Sequence, residues 1–91
     1  MIVSLEEMKQ YIRVDYEDDD QLITGFLSSA ERLCRDILRA DETEDLGDDE
    51  LVKIAIKYAV AYFYEHREEA DHHELTLTLR SLLFGSRKET F

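Results

Sequence analysis

Apolar residues recur every three or four positions along most of the chain, and this spacing predicts helices. The clearest helix is predicted from about Asp19 to Arg39, where the apolar positions keep a 3.6-residue period throughout. These positions are Leu22, Ile23, Phe26, Leu27, Ala30, Leu33, Cys34, Ile37 and Leu38. A shorter helix is predicted from Leu5 to about Val14, because Ser4 and Glu7 fit a capping box at its start. Its apolar face consists of Leu5, Met8, Tyr11 and Ile12.

A third helix is predicted from about Asp49 to Glu69, and it is apolar on more than half of its circumference. One stripe consists of Leu51, Ile54, Ala55, Tyr58, Ala59, Tyr62 and Phe63, and a second of Val52, Ile56, Val60 and Tyr64. We expect the aromatic residues of the first stripe to lie in the core. Because a helix with two apolar stripes must be covered on more than one side, we predict that Ile56, Val60 and Tyr64 form a surplus face that contacts a partner.

The last part of the chain gives two conflicting signals. Leu75 to Leu79, which read LTLTL, alternate like a strand, whereas Leu79, Leu82 and Leu83 have helical spacing. We favour a helix, because no other segment offers a strand to pair with. Gly85 would then end this helix.

Polar segments separate the predicted helices. Asp15 to Asp20 connect the first two, and Ala40 to Gly47 form a loop that precedes Asp48, a candidate N-cap for the third helix. Proline is absent and glycine is scarce, which is typical of helices joined by short loops. The 91-residue chain is therefore predicted to be all-α and a single domain, a small bundle of about four helices in the order short, long, long, short.

The chain is strongly acidic, with a formal net charge of −11. Such a surface repels phosphate, so sequence-independent binding to DNA or to an anionic membrane is not expected. The longest apolar run, Tyr58 to Tyr64, is far shorter than the ~20 residues that cross a bilayer, and the amino terminus lacks the pattern of a signal peptide. Cys34 is the only cysteine, and we expect a buried thiol in a reducing cytoplasm.

Clusters of acidic and histidine side chains raise the question of a metal site. The acidic runs Glu17–Asp20 and Asp41–Asp45 lack the alternating ligands and the turn glycine of a calcium loop, and acids such as Asp18 to Asp20 suit a helix start. Glu65 to Glu74 contain all three histidines but no HExxH motif, so a solvated helix end or loop is the preferred interpretation. Neither a catalytic constellation nor a glycine-rich phosphate loop is present. We therefore expect no catalytic, cofactor or metal site.

Three arginines, Arg32, Arg35 and Arg39, follow one face of the second predicted helix. Glu31 stands four residues before Arg35 and Asp36 three before Arg39, so this face could be exposed and salt-bridged within the chain. Alternatively, the arginines contact acidic residues of a neighbouring copy, which would make them part of a subunit interface.

Three sequence blocks, LEEMKQYIRVDYEDDDQLI, AVAYFYEHREE and SLLFGSR, occupy residues 5–23, 59–69 and 81–87. The second contains an apolar stretch followed by a Tyr-Glu-x-Arg pattern, and the third combines Leu-Leu with a later Arg. The matching positions are Tyr64, Glu65, Arg67, Leu82, Leu83 and Arg87. In content and order the blocks resemble the small head–tail connector proteins of tailed bacteriophages, also called DNA-packaging or head-completion adaptor proteins.

The resemblance implies a structural protein, not an enzyme, that assembles into a ring of about a dozen copies through contacts between unlike surfaces. The ring would lie beneath the portal protein of the virion and contact the next adaptor on the tail side. DNA would pass through it without specific binding, which an acidic surface suits. The protein would be made in the cytoplasm of the bacterial host. An alternative function is an acidic inhibitor whose carboxylates imitate the phosphates of DNA.

Overall fold

The computed structural model describes residues 2–39, 49–66 and 73–84. Within these ranges the chain forms four α-helices: α1 (Leu5–Ile12), α2 (Asp20–Leu38), α3 (Glu50–Glu65) and α4 (His73–Phe84). The described residues contain no strand, and none of their helices is both long and apolar enough to cross a membrane. The predicted all-α class and the short, long, long, short order of helices are confirmed.

α1 begins at the capping box that the sequence predicts. The Ser4 hydroxyl accepts a 3.1 Å hydrogen bond from the N–H of Glu7, and the Ser4 N–H donates to the Glu7 carboxylate at 3.4 Å. The helix ends at Ile12, earlier than expected, because Arg13 adopts a left-handed backbone conformation with a φ of 62°. This conformation turns the Arg13 N–H onto carbonyls of the last helical turn, as helix C-caps commonly do. Val14, which follows, is buried.

Caps also set the ends of α2 and α3. Arg39 ends α2 in the left-handed region, with a φ of 58°. The N-cap of α3 is Asp49, whose carboxylate accepts hydrogen bonds of 3.0 and 3.4 Å from two N–H groups of the first turn. The prediction that Asp48 has this role was wrong by one residue. α3 ends at Glu65, four residues before its expected end.

The segment with conflicting signals is helical, as favoured. The buried residues of α4 are spaced four apart and are Leu75, Leu79 and Leu83. Leu77, which shares the alternating LTLTL pattern, is half exposed, so the alternation does not correspond to one buried face. The predicted stop at Gly85 lies outside the described residues.

The core forms where α2 and α3 pack in antiparallel directions. The ring of Phe26, near the start of α2, lies 5.6 Å from that of Phe63, near the end of α3, between centroids. α1 and α4 each contact both long helices, so α3 is covered on several sides within one chain. The buried core residues are Val3, Met8, Val14, Ile23, Leu27, Ala30, Cys34, Val52, Ala55, Ile56, Ala59, Val60, Leu75, Leu79 and Leu83.

Cys34 is buried in α2, as predicted. Burial, with a smaller contribution from the charge of Glu31, raises the pKa of Cys34 to about 12, because a thiolate in the core would lose its hydration. The thiol therefore behaves as a small apolar side chain.

Candidate subunit interface

The two aliphatic residues predicted to face a partner are buried inside one chain. Ile56 is 1% exposed and Val60 is fully buried. The prediction that a single copy leaves this stripe open was therefore wrong. The prediction did not allow for three helices of the same chain around α3. Both α1 and α4 pack on α3 in addition to α2. Ile56 and Val60 stabilise the fold and offer no surface to another molecule.

Tyr64, the third residue of that stripe, is partly buried and uses its hydroxyl within the chain. The hydroxyl donates a 2.6 Å hydrogen bond to Asp19 Oδ2 and lies 3.1 Å from the hydroxyl of Tyr16. The hydrogen bond to Asp19 is the main reason that the pKa of Tyr64 is raised, because it favours the protonated phenol. The Tyr16–Asp19–Tyr64 cluster thus connects the segment between α1 and α2 to the end of α3 through hydrogen bonds.

A different stripe of α3 is open to solvent. Ile54 is 49% exposed and Tyr58 is 39% exposed, and the partly exposed Ala61 continues the line at helical spacing. We call Ile54, Tyr58 and Ala61 the outer ridge. The expectation that Tyr58 lies in the core was wrong, because the buried face of α3 consists of the aliphatic residues of the second stripe and the adjacent Ala55 and Ala59 of the first. The other two aromatic residues of the first stripe pack against the core, as expected.

The three arginines of α2 have different environments. Arg35 Nε lies 3.4 Å from a carboxylate oxygen of Glu31, the i,i+4 pair that the sequence predicts. Arg32 and Arg39 are exposed, and no carboxylate of the described residues lies within ion-pair distance of either. Asp36 does not pair with Arg39. The backbone of Arg39 has the left-handed conformation that ends α2. Arg32 and Arg39 thus remain interface candidates.

The opposite end of α2 is acidic. Asp15, Glu17 and Asp18 are exposed, whereas Asp20 Oδ1 is buried and lies 2.6 Å from the Lys9 ammonium. This contact is an ion pair that does not meet hydrogen-bond geometry. α2 has 19 residues and is therefore roughly 28 Å long. The acids of this segment and the exposed Arg39 are thus separated by the whole length of α2, although the exposed Asp36 also lies near the arginines.

α1 docks through fewer residues than its pattern predicts. Met8 is fully buried, but Tyr11, expected on the same face, is half exposed. The Lys57 ammonium lies 5.9 Å from the centre of the Tyr11 ring and 3.7 Å from the Glu7 carboxylate. Lys57 thereby connects α3 to α1 at the surface, where a cation–π contact adds to the ion pair.

The histidine-rich segment is described only at its two ends. His66 is the C-cap of α3, and its ring stacks on Tyr62 with centroids 4.2 Å apart. Residues 67–72 lie outside the described ranges. Among the described residues, no group of histidine, cysteine or acidic side chains could hold a metal ion.

The positions that carry the family resemblance occupy the ends of helices. Tyr64 belongs to the cluster described above, and Glu65 is the last residue of α3. Leu83 is buried, and Leu82 packs partly against the core. Outside the described residues lie Arg67 and Arg87.

Comparison with known proteins identifies a family but no individual relative. No curated protein and no solved structure shows a significant match to the chain. A family model does match over residues 2–89, a range that contains all three of the sequence blocks and all four helices. The chain therefore belongs to the family of phage gp6-like head-tail connector proteins.

Proposed function

We propose that copies of this protein form a ring between the phage capsid and its tail, beneath the portal protein, and that DNA passes through the ring. The observation that carries the proposal is the family match over residues 2–89 of a 91-residue chain. A head–tail connector is a structural component of the phage, so we place the protein in the virion after its synthesis in the host cytoplasm. Its partners would be other copies, the portal and the next adaptor toward the tail.

The net charge of the chain supports a role as a passage for DNA. A formal charge of −11 repels the phosphate backbone and disfavours retention of DNA on the protein surface. A channel lined by such subunits would let DNA move without adhering to the wall.

The distribution of charge supports contact between unlike surfaces. Asp15, Glu17 and Asp18 are exposed at one end of α2, and Arg32 and Arg39 are exposed toward its other end. Like patches of either kind would repel each other, whereas unlike patches attract. Heterologous contacts of this kind are the ones that can close into rings of many copies.

An inhibitor that imitates DNA is not favoured by the described surface. Such a protein would present carboxylates in a row along one face. Here three exposed acids are concentrated in the segment before α2, and the outward sides of α2 and α3 carry glycine, serine and apolar residues between their charges.

The proposal is tested by sedimentation velocity of the purified protein over a concentration series, alone and with purified portal, followed by electron microscopy of any large species. We expect closed rings of the protein, either free or attached to the portal. A protein that stays monomeric at every concentration and does not bind the portal would contradict the proposal. A mobility-shift assay with duplex DNA serves as a second readout, in which no binding is expected at physiological salt.

A further inference from the structure

The outer ridge of α3 is bounded by acidic residues at both ends. Ile54, Tyr58 and Ala61 occupy successive turns of the helix. Glu50 lies one turn before Ile54, Glu65 lies one turn after Ala61, and both are exposed. An exposed aromatic and aliphatic strip with a charged rim is typical of a protein–protein contact surface.

The outward side of α2 is a shallow surface that complements this ridge. Leu22 is 38% exposed, and the exposed Gly25, Ser29 and Arg32 follow it on the same side at helical spacing. A Cβ atom placed on Gly25 would have no neighbour within 4 Å, so this part of the helix is open. We call these four residues the α2 trough, because the small side chains between Leu22 and Arg32 allow another helix to approach closely.

The ridge and the trough cannot meet within one chain. Each lies on the side of its helix that is roughly opposite to the residues that the helix buries in the core. A ridge can therefore reach only the trough of another molecule. Since the two surfaces differ, a contact between them is heterologous and can continue from copy to copy until it closes.

We propose that the outer ridge of one copy docks in the α2 trough of the next copy. This inference rests on the ring proposed above and names the surfaces that build it. Charge complementarity at one end of the contact supports a second copy of the chain as the occupant. The trough ends at Arg32, which has no carboxylate partner among the described residues, and the ridge is preceded by the exposed Glu50.

One register brings the complementary groups together. Neighbouring copies in a ring of many subunits are related by a small rotation, so α3 of one copy runs nearly antiparallel to α2 of the next, as it does to its own α2. With Tyr58 placed over Gly25, Ile54 lies over Ser29 and Ala61 lies beside Leu22. In the same register Glu50 of one copy lies beside Arg32 of the next, whereas Glu65 lies near the acidic segment that precedes α2, so the favourable charge pair is at one end of the contact.

Cysteine cross-linking between two variants tests this register. Ser29→Cys protein carrying a mass tag is mixed with untagged Ile54→Cys protein, alone and with portal, under mild oxidation. The cross-link is read on a non-reducing gel. A disulfide forms only where the two Cα atoms come within roughly 7 Å, and the native Cys34 is buried and does not compete. The control mixture replaces Ile54→Cys with Glu6→Cys, an exposed position on α1 outside both surfaces.

We expect the Ser29→Cys and Ile54→Cys mixture to give several-fold more of the tagged–untagged product than the control mixture. Equal yields from the two mixtures overturn the inference. Sedimentation of the wild-type protein under the same conditions separates the two proposals. Assembly without the specific cross-link refutes the surfaces and leaves the ring, whereas absence of both refutes both. The specific cross-link without closed rings supports the surfaces and counts against the ring.

Discussion

The inward and outward sides of α3 have similar side chains in opposite environments. Ile56 and Val60 are buried, while Ile54, two residues before Ile56, and Tyr58, two residues before Val60, are 49% and 39% exposed. Their hydrophobicity does not distinguish them. The difference arises because α2 covers the inward side and α1 and α4 cover its flanks, whereas no element of the described chain covers the outer ridge.

This difference suggests a division of roles within one helix. A domain of this size buries only roughly 60–65% of the surface that its unfolded chain exposes, so each fully buried side chain contributes a large share of its stability. Apolar residues of the outer ridge contribute little to the stability of a single copy. In the proposed ring, their free energy of burial would become available when two copies associate.

The largest expected effect comes from shortening a residue on the inward side. Replacement of Ile56 by alanine leaves a cavity in the core and should lower the free energy of unfolding by about 2–5 kcal/mol. Urea denaturation followed by circular dichroism measures this change. The matched variant Ile54→Ala removes the same atoms from the outer ridge and should cost well under half as much. Similar losses in the two variants would contradict the assignment of inward and outward sides.

Helix type and helix order could be predicted from the sequence because they depend on local periodicity. The capping box at Ser4 and the pairing of Glu31 with Arg35 were also predictable, since they depend on residues three and four positions apart. The length of α1 was not, because its end depends on the left-handed conformation of Arg13. A non-glycine residue gives no clear sequence signal for that conformation.

The side of α3 that faces solvent was predicted incorrectly for a physical reason. Helical spacing shows which residues share a stripe, but it does not show how many other helices converge on it. The buried face consists of the aliphatic residues of the second stripe and only the alanines of the first, which exposes Tyr58 and buries Ile56. The contact of Tyr64 with Asp19 joins residues 45 positions apart, a distance at which no periodic pattern gives information.

A second and smaller effect is expected at the start of α3, which positions both sides of the helix together. Replacement of Asp49 by alanine removes the acceptor for two N–H groups and should lower the free energy of unfolding by about 1 kcal/mol. Asp49→Asn keeps a side-chain acceptor and should lose little, because asparagine ranks with aspartate as an N-cap. Equal losses in the two variants would argue for a role of the negative charge in place of the cap.

The Tyr16–Asp19–Tyr64 cluster predicts a pH-dependent effect on the flank of α3. Tyr64→Phe removes the hydroxyl that donates to Asp19 and should lower stability by less than loss of the Asp49 cap, because the hydroxyl is only partly shielded from water. The pKa of Tyr64 is raised above its ordinary value of 10.0 in the folded protein. The contribution of the hydroxyl is therefore complete below pH 10 and is lost as the pH rises toward the higher folded value.

The difference in urea midpoint between the wild type and Tyr64→Phe, measured from roughly pH 8 to pH 11, on both sides of the ordinary tyrosine pKa, should therefore be constant below about pH 10 and narrow above it. Ionisation of the other tyrosines and lysines affects both proteins alike and cancels in the difference. Tyr58→Phe is the control, since no hydrogen bond to the Tyr58 hydroxyl occurs among the described residues. A constant difference between wild type and Tyr64→Phe across this range would show that the hydroxyl does not hold its proton through Asp19.

The smallest effect on stability, and the sharpest test of the comparison, is expected on the outer ridge. Ile54→Ser should change the free energy of unfolding by only about 0.5 kcal/mol, as exposed substitutions usually do, yet it should reduce association between copies in sedimentation experiments. Leu77→Ser on α4 is a matched control, because Leu77 is 50% exposed and lies outside both the ridge and the trough. If the two serine variants assemble equally well, exposure alone does not define the contact. If only Ile54→Ser fails to assemble while its urea midpoint is unchanged, the outward side of α3 serves association and the inward side serves folding.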